Sequence, residues 1–112
     1  MAEASVTREA GEAARQAALC VPGVAGLHGG LVGEVALLLP GERIEGLRVA
    51  RRGQTNGLEV HVVYDVSSQR EVQTVAADVR AAVLAATDAP FVNVVVADAV
   101  AKAPSPRPQS GE

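Results

Sequence analysis

The chain has one cysteine and two histidines, which could together bind zinc or form a Cys–His catalytic pair: Cys20, His28 and His61. Protein zinc sites use four ligands, commonly at short fixed spacings such as C-x-x-C or H-x-x-x-H. The cysteine and the two histidines match neither spacing, and the sequence shows no third group that would orient a Cys–His pair. We therefore predict no metal, no cofactor and no catalytic residue, and we interpret Cys20 as a small buried residue at a helix end.

Six glycines fall within the stretch VPGVAGLHGGLVGEVALLLPG, residues 21–41. A phosphate-binding loop requires G-x-x-x-x-G-K-[ST], and a dinucleotide site requires G-x-G-x-x-G; neither pattern is present. The tetrapeptides GVAG, GLHG and GLVG match the G-x-x-G clamp of a KH domain, but that clamp lies between two helices and draws on nearby basic residues. We interpret these glycines as turns that connect a first helix to a sheet.

Four arginines, Arg43, Arg48, Arg51 and Arg52, follow one another along a predicted hairpin. Such a cluster can bind phosphates or an acidic partner. It can also keep an edge strand soluble, with neighbouring glutamates neutralising the charge. The chain has a net charge of −3, whereas nucleic-acid-binding domains are usually basic. We therefore favour the solubility role and expect no nucleic-acid partner.

Two amphipathic helices are predicted to position these residues. The first covers residues 6–20, with Ser5 as its cap and Pro22-Gly23 after its end; an apolar face with helical spacing comprises Val6, Ala10, Ala13, Ala17 and Cys20. The second covers residues 69–87, where SQRE (68–71) has the form of a capping box. Its apolar stripe comprises Val72, Val75, Ala76, Val79, Val83 and Ala86.

Strands are predicted before, between and after these helices. LEVHVVYDV (58–66) alternates apolar and polar residues, and FVNVVV (91–96) is apolar on both faces, as in a more central strand. RIEGLRVA (43–50) is predicted to form one strand and to join the next through a turn at Asn56-Gly57. VALLL (35–39) is a possible extra strand.

The element order α-β-β-α-β predicts an α+β fold, a two-layer sandwich in which two helices cover one face of a small mixed sheet. Hydrophobic residues make up 48% of the chain and aromatic residues only 2%, so the core must be aliphatic. We expect one domain over residues 1–101 and a disordered, proline-rich tail over residues 102–112. The sequence shows no signal peptide and no spanning segment, which predicts a cytoplasmic protein without direct membrane insertion.

Three short motifs add a resemblance to a known family. VPGV (21–24) follows the first predicted helix, LPG (39–41) precedes the predicted hairpin, and VNVVVAD (92–98) closes the last strand. With these motifs, residues 6–100 resemble the alkaline shock protein family of bacterial envelope stress response proteins, in its high-GC Gram-positive branch.

The resemblance implies a small non-enzymatic interaction or scaffold protein of cell-envelope homeostasis. Members of that family act at the inner face of the cell membrane through membrane-anchored protein partners, and they tend to self-associate. A KH-like RNA-binding module is the alternative function, and RNA affinity that falls steeply with salt would distinguish it.

Overall fold

The computed structural model describes residues 7–101, which form two α-helices and six β-strands. The helices are α1 (Arg8–Leu19) and α2 (Val72–Ala86). The strands are, in chain order, β1 (Val24–Leu27), β2 (Ala36–Leu39), β3 (Glu42–Glu45), β4 (Leu47–Arg52), β5 (Thr55–Asp65) and β6 (Val92–Val100). The predicted cap Ser5, the first residue of the predicted helix, Val6, and the predicted tail, residues 102–112, lie outside the described residues.

The long strand β5 is the centre of the main sheet. It pairs antiparallel with β4 and, near its own end, antiparallel with β1, while β6 pairs with it in parallel. Residues 58–60 of β5 pair with both β4 and β6, and residues 62–64 pair with both β1 and β6. Therefore β4 and β1 lie end to end on one side of β5, and β6 lies alone on the other. Strands β2 and β3 form a separate two-stranded hairpin.

Both helices pack on one face of the main sheet, so the predicted two-layer α+β fold is confirmed. The core between the layers is aliphatic. Alternate residues of β5 point into it, and α2 contributes one side chain per turn. The largest fully buried side chains of the core are Leu47, Leu58, Val60, Val62, Val75, Val79, Val83 and Val92. The predicted valine stripe of α2 is therefore right at its centre, although Val72 at its start is exposed.

The prediction of the buried face of α1 is wrong, because the buried residues lie one position later in the chain than predicted. The buried residues are Gly11, Ala14 and Ala18. Gly11 lies against the β2–β3 hairpin, where a Cβ would come within 2.9 Å of Leu37 Cδ2. The glycine therefore allows the hairpin to approach the helix closely, which a count of apolar residues does not reveal. Thr7, rather than Ser5, caps the helix: its Oγ1 accepts a hydrogen bond from the Ala10 amide at 3.1 Å.

The capping box predicted at residues 68–71 does not form. Residues 66–68 form a 3-10 turn, and Gln69 adopts a left-handed conformation with φ of 62°. Helix α2 therefore begins later, with Glu71 as an N-cap that makes no side-chain capping hydrogen bond. Ser68 Oγ instead accepts from the Arg70 amide at 3.2 Å. The Ser68 hydroxyl binds within this turn, and it does not cap α2, because the left-handed Gln69 separates it from the helix.

Two further strand predictions need correction. The predicted strand at residues 43–50 is divided into β3 and β4 at Gly46, whose φ is 90°. The predicted turn at Asn56-Gly57 is wrong, because both residues lie within β5 and the chain turns at Gly53-Gln54, between the paired residues Arg52 and Thr55. A Cβ at Gly57 would meet the Phe91 carbonyl oxygen at 2.5 Å, so this glycine permits close packing within the sheet.

The remaining strands differ from the prediction in number and position. The possible strand at residues 35–39 is confirmed as β2, but β1 was predicted as a glycine connector. The strand at residues 91–96 was predicted to be more central, yet β6 pairs only with β5 among residues 7–101 and forms an edge. Val92 and Val94 on the helix side pack on the core, whereas Val95 on the other face is 37% exposed.

Candidate interaction surface

The face of the main sheet that points away from the helices carries the polar side chains of β5. Because side chains alternate along a strand, Glu59 and His61 lie on this face while Leu58 and Val60 face the core. Arg48 of β4 is the cross-strand neighbour of Glu59 and lies on the same face. We call this face the open face of the sheet.

A carboxylate that accepts hydrogen bonds from two side chains occupies the centre of the open face. Arg48 Nε donates to Glu59 Oε2 at 2.9 Å, and His61 Nε2 donates to the same oxygen at 2.6 Å. The side chains of Glu59 and His61 are only 18% and 12% exposed. The hydrogen bond from His61, followed by that from Arg48, lowers the pKa of the Glu59 carboxyl below its ordinary value. This network fixes the three side chains rather than leaving a free acid or base.

The glycine-rich turn at residues 30–33 lies above one end of the open face. Gly30 and Gly33 have φ of 88° and 78°, a region that side chains rarely enter. The Val32 amide donates to Glu34 Oε1 at 3.1 Å, and Arg43 donates to the Gly33 carbonyl at 2.6 Å. Backbone hydrogen bonds from Glu34 itself and from Val32 lower the pKa of the Glu34 carboxyl. The turn therefore has a defined shape.

This turn presents two aliphatic side chains to the solvent. Leu31 is 95% exposed and Val32 is 88% exposed, while the glycines on either side hold the backbone. Leu38, on the neighbouring β2–β3 hairpin, is 75% exposed. Scattered apolar side chains are normal on protein surfaces, but Leu31 and Val32 are adjacent and are the most exposed large apolar side chains among the described residues.

A cleft of about 450 Å³ separates the glycine turn from the open face. His28 and His61 both line it, and the amide of His28, which follows β1, donates a hydrogen bond to the His61 carbonyl at 2.9 Å. The structure thus brings the two histidines together, whereas Cys20 does not line this cleft. Cys20 ends α1, as predicted, but it is exposed rather than buried.

The cleft does not have the composition of a metal centre. His28 Nδ1 accepts a hydrogen bond from the Gly30 amide at 3.0 Å, and His61 Nε2 is bound to Glu59. In the part of the chain from residue 7 to residue 101, no three His, Cys, Asp or Glu side chains gather in a way that would hold a metal ion. The absence of a metal in this protein remains a prediction.

The four arginines of the predicted basic cluster contact different partners in the structure. Arg43 binds the glycine turn, Arg48 binds Glu59, and Arg51 donates to the Gly53 carbonyl at 3.1 Å. Arg52 lies 4.0 Å above the Phe91 ring and donates to Asn93 Oδ1 at 3.2 Å. Arg51 and Arg52 lie beside the hairpin turn, as predicted. Each of the four guanidinium groups therefore already has a partner within the protein.

The open edge of β6 is the second apolar feature of the surface. Val95, Val96 and Val100 are 37%, 39% and 41% exposed. Ala97 is an extra residue in this strand, since the pairing with β5 passes from Val96 directly to Asp98. The sequence indicated the apolar character of this strand, but its position at the edge depends on pairing between distant segments.

These features define a two-layer α+β domain with an exposed apolar turn and an exposed apolar edge. Neither helix within residues 7–101 has the length and hydrophobicity needed to cross a bilayer. The chain matches no family model and no curated protein.

Solved structures of MamM variants resemble the fold. One MamM variant aligns with a TM-score of 0.51 at 19% sequence identity, over 91% of each chain. A variant named MamM-CTD aligns with a TM-score of 0.44 at 21% identity, over 82% of this chain and 96% of the other. At such identities, the first alignment shows a shared α+β fold.

Proposed function

We propose that this chain is a non-enzymatic interaction protein of the cell-envelope stress response, similar in role to the alkaline shock protein family. In this proposal it is cytoplasmic, docks to a membrane-anchored protein partner at the inner face of the membrane, and self-associates. The motifs VPGV, LPG and VNVVVAD support the family role.

The observation that carries the proposal is the fixed turn bearing Leu31 and Val32, which are 95% and 88% exposed. A rigid turn loses little conformational entropy on binding, so its apolar side chains can contribute most of their burial to affinity. The neighbouring cleft contains polar groups already paired with one another, such as Glu59 with His61. This arrangement suits a docking surface better than a catalytic centre.

Membrane fractionation with a matched pair of variants tests the docking role. Leu31→Ser with Val32→Ser removes the apolar turn without touching the core, and Val72→Ser is the control because Val72 is an exposed valine of α2, on the helix layer. We expect the wild type and the control to sediment with native membranes and the double variant to remain in the supernatant. Equal sedimentation of all three would contradict docking through this turn.

Two further measurements distinguish the other functions. Purified protein should not bind protein-free anionic liposomes, because the only apolar groups at the turn are two side chains; strong binding would show direct docking on lipid. RNA binding that weakens steeply with salt would instead support the KH-like alternative. In the structure, however, the tetrapeptide at residues 30–33 lies between strands β1 and β2 rather than between helices.

A further inference from the structure

The two edges of the main sheet differ strongly in composition. One edge is formed by β4 and β1 end to end; its β4 part, here called the β4 edge, is six residues long and carries Arg48, Arg51 and Arg52. The β6 edge is nine residues long, and Asp98 is its only charged residue. Proteins commonly prevent unwanted pairing by placing charges on edge strands and keeping them short. The β4 edge has both protections, whereas the β6 edge exposes valines on a long strand.

We propose that β6 pairs antiparallel with β6 of a second copy of this chain, so that two main sheets join into one. The inference rests on the self-association in the proposed function and assigns it to a surface. Backbone groups on the free side of β6 would then be paired, and the exposed parts of Val95 and Val96 would be covered. An interface of this kind is isologous, so it closes after two copies.

The arrangement of side chains along β6 selects a register. Val94 and Val96 are paired with Val60 and Val62 and share their face, toward the helices, while Val95 is paired with His61 and lies on the open face. A two-fold axis at Val95 places Val94 opposite Val96 of the second copy on the helix side. It also places the two Val95 side chains opposite each other. Valines therefore meet valines on both faces of the joined sheet. A shift by one residue would instead place side chains of the helix side opposite side chains of the open face.

Charge complementarity favours the antiparallel orientation. Arg52 binds Asn93 near the beginning of β6, and Asp98 lies near its end. Asn93 and Asp98 are paired with Glu59 and Val63, so both lie on the open face. Antiparallel pairing brings Arg52 of each copy toward Asp98 of the other, and the two-fold axis repeats this attraction. Parallel pairing would bring like groups together.

Disulfide trapping in the full chain tests the register. In a Cys20→Ser background, which removes the exposed native thiol, Val95→Cys places two thiols opposite each other across the axis. Directly opposed residues of antiparallel strands have Cα separations of about 4.5–5.5 Å, which a disulfide can bridge. We expect rapid formation of a covalent dimer. Leu38→Cys in the same background is the control, because Leu38 is more exposed but lies on β2. Equal or faster crosslinking of the control would overturn the proposal.

Sedimentation analysis of the purified full chain tests the interface in solution. We expect a dimer for the wild type and for Val95→Thr, and a dissociation constant raised by about tenfold or more in Val95→Lys, because like charges would meet at the axis. Arg52→Glu and Asp98→Lys should each weaken the dimer, and the double variant should restore it. A monomeric wild type, as expected if another segment of this chain covers the edge, would overturn the proposal. So would an unaffected Val95→Lys dimer.

Membrane fractionation separates this inference from the proposed function. If Val95→Lys is monomeric but still sediments with membranes, the dimer interface is supported and docking does not depend on it. If the wild type is a dimer through β6 but remains wholly soluble in intact cells, the interface stands and the envelope role fails.

Discussion

At the scale of single residues, Gly57 shows how a missing side chain determines the packing of two strands. A Cβ at this position would lie 2.5 Å from the carbonyl oxygen of Phe91, a backbone atom that cannot rotate away. We expect Gly57→Ala to reduce the free energy of unfolding by about 1–3 kcal/mol, as for other forced contacts in packed regions.

Urea denaturation measures this loss of stability, and a substitution in β1 serves as the matched control. Gly26→Ala adds the same methyl group where no atom lies within 4 Å, so its stability should stay within about 0.5 kcal/mol of the wild type. Equal effects of the two substitutions would show that backbone entropy, rather than the contact with Phe91, determines the result.

Glu59 provides a prediction about pH. Its folded-state pKa lies below the ordinary value of 4.5, so its hydrogen bonds to His61 and Arg48 stabilise the fold above that value. This stabilisation is lost as the pH falls through the folded-state pKa. We expect Glu59→Gln to be less stable than the wild type at pH 7 and to show a weaker decline of stability on acidification. Glu12→Gln, at an exposed pair with Arg15, should retain the wild-type profile.

At the scale of secondary-structure elements, α2 depends on its buried valines. Val79 is fully buried between the layers. Val79→Asp should unfold the domain, because an unpaired buried charge costs several kcal/mol against a total stability of about 5–15 kcal/mol. Arg80→Asp introduces the same residue at the adjacent exposed position and should leave the melting temperature nearly unchanged. Circular dichroism melting of both variants measures the difference.

The predictable part of the fold is the part set by periodicity. The alternation in β5 and the valine spacing of α2 specify which side faces the core, and the structure agrees for Val60 and Val79. The ends of elements were less predictable because they depend on tertiary contacts. Gln69 adopts a left-handed conformation and delays α2, although SQRE has the composition of a capping box.

The sequence identified the segments that form the candidate interaction surface, but not how the fold arranges and exposes them. Sequence analysis singled out the glycine turn and the arginines, but the exposure of Leu31 and Val32 depends on how residues 28–34 return over the sheet. The edge position of β6 arises from its parallel pairing with β5, and the two strands are separated along the chain by the whole of α2. Apolar residues on both faces of a strand fit a central strand as well as an interface, and the sequence does not distinguish these two causes.

At the scale of the whole molecule, the proposed dimer predicts that stability depends on protein concentration. Dimerisation through β6 favours the folded state by mass action, so the unfolding midpoint should rise with protein concentration. The Val95→Lys variant should have a midpoint independent of concentration. Calorimetry over a hundredfold range of concentration measures this, and a constant wild-type midpoint would contradict a stable dimer.

The whole molecule should also be insensitive to metal removal. The histidines in the cleft are bound to Gly30 and Glu59 rather than arranged around an empty centre. We expect untagged protein to contain far less than one zinc per chain and to melt at the same temperature with and without a chelator. Elemental analysis showing near-stoichiometric zinc would overturn this prediction.

The parallel pairing of β6 with β5 also affects how the protein is made. A ribosome that adds about 5–20 residues per second needs about 2–7 seconds to pass from Asp65 to Val100. During this interval, the side of β5 that receives β6 has no strand beside it, and Val92 is missing from the core at first. The chain is therefore more prone to aberrant association while β6 is missing from the sheet than after β6 has paired, and a chaperone that acts in this interval would protect the yield of native protein.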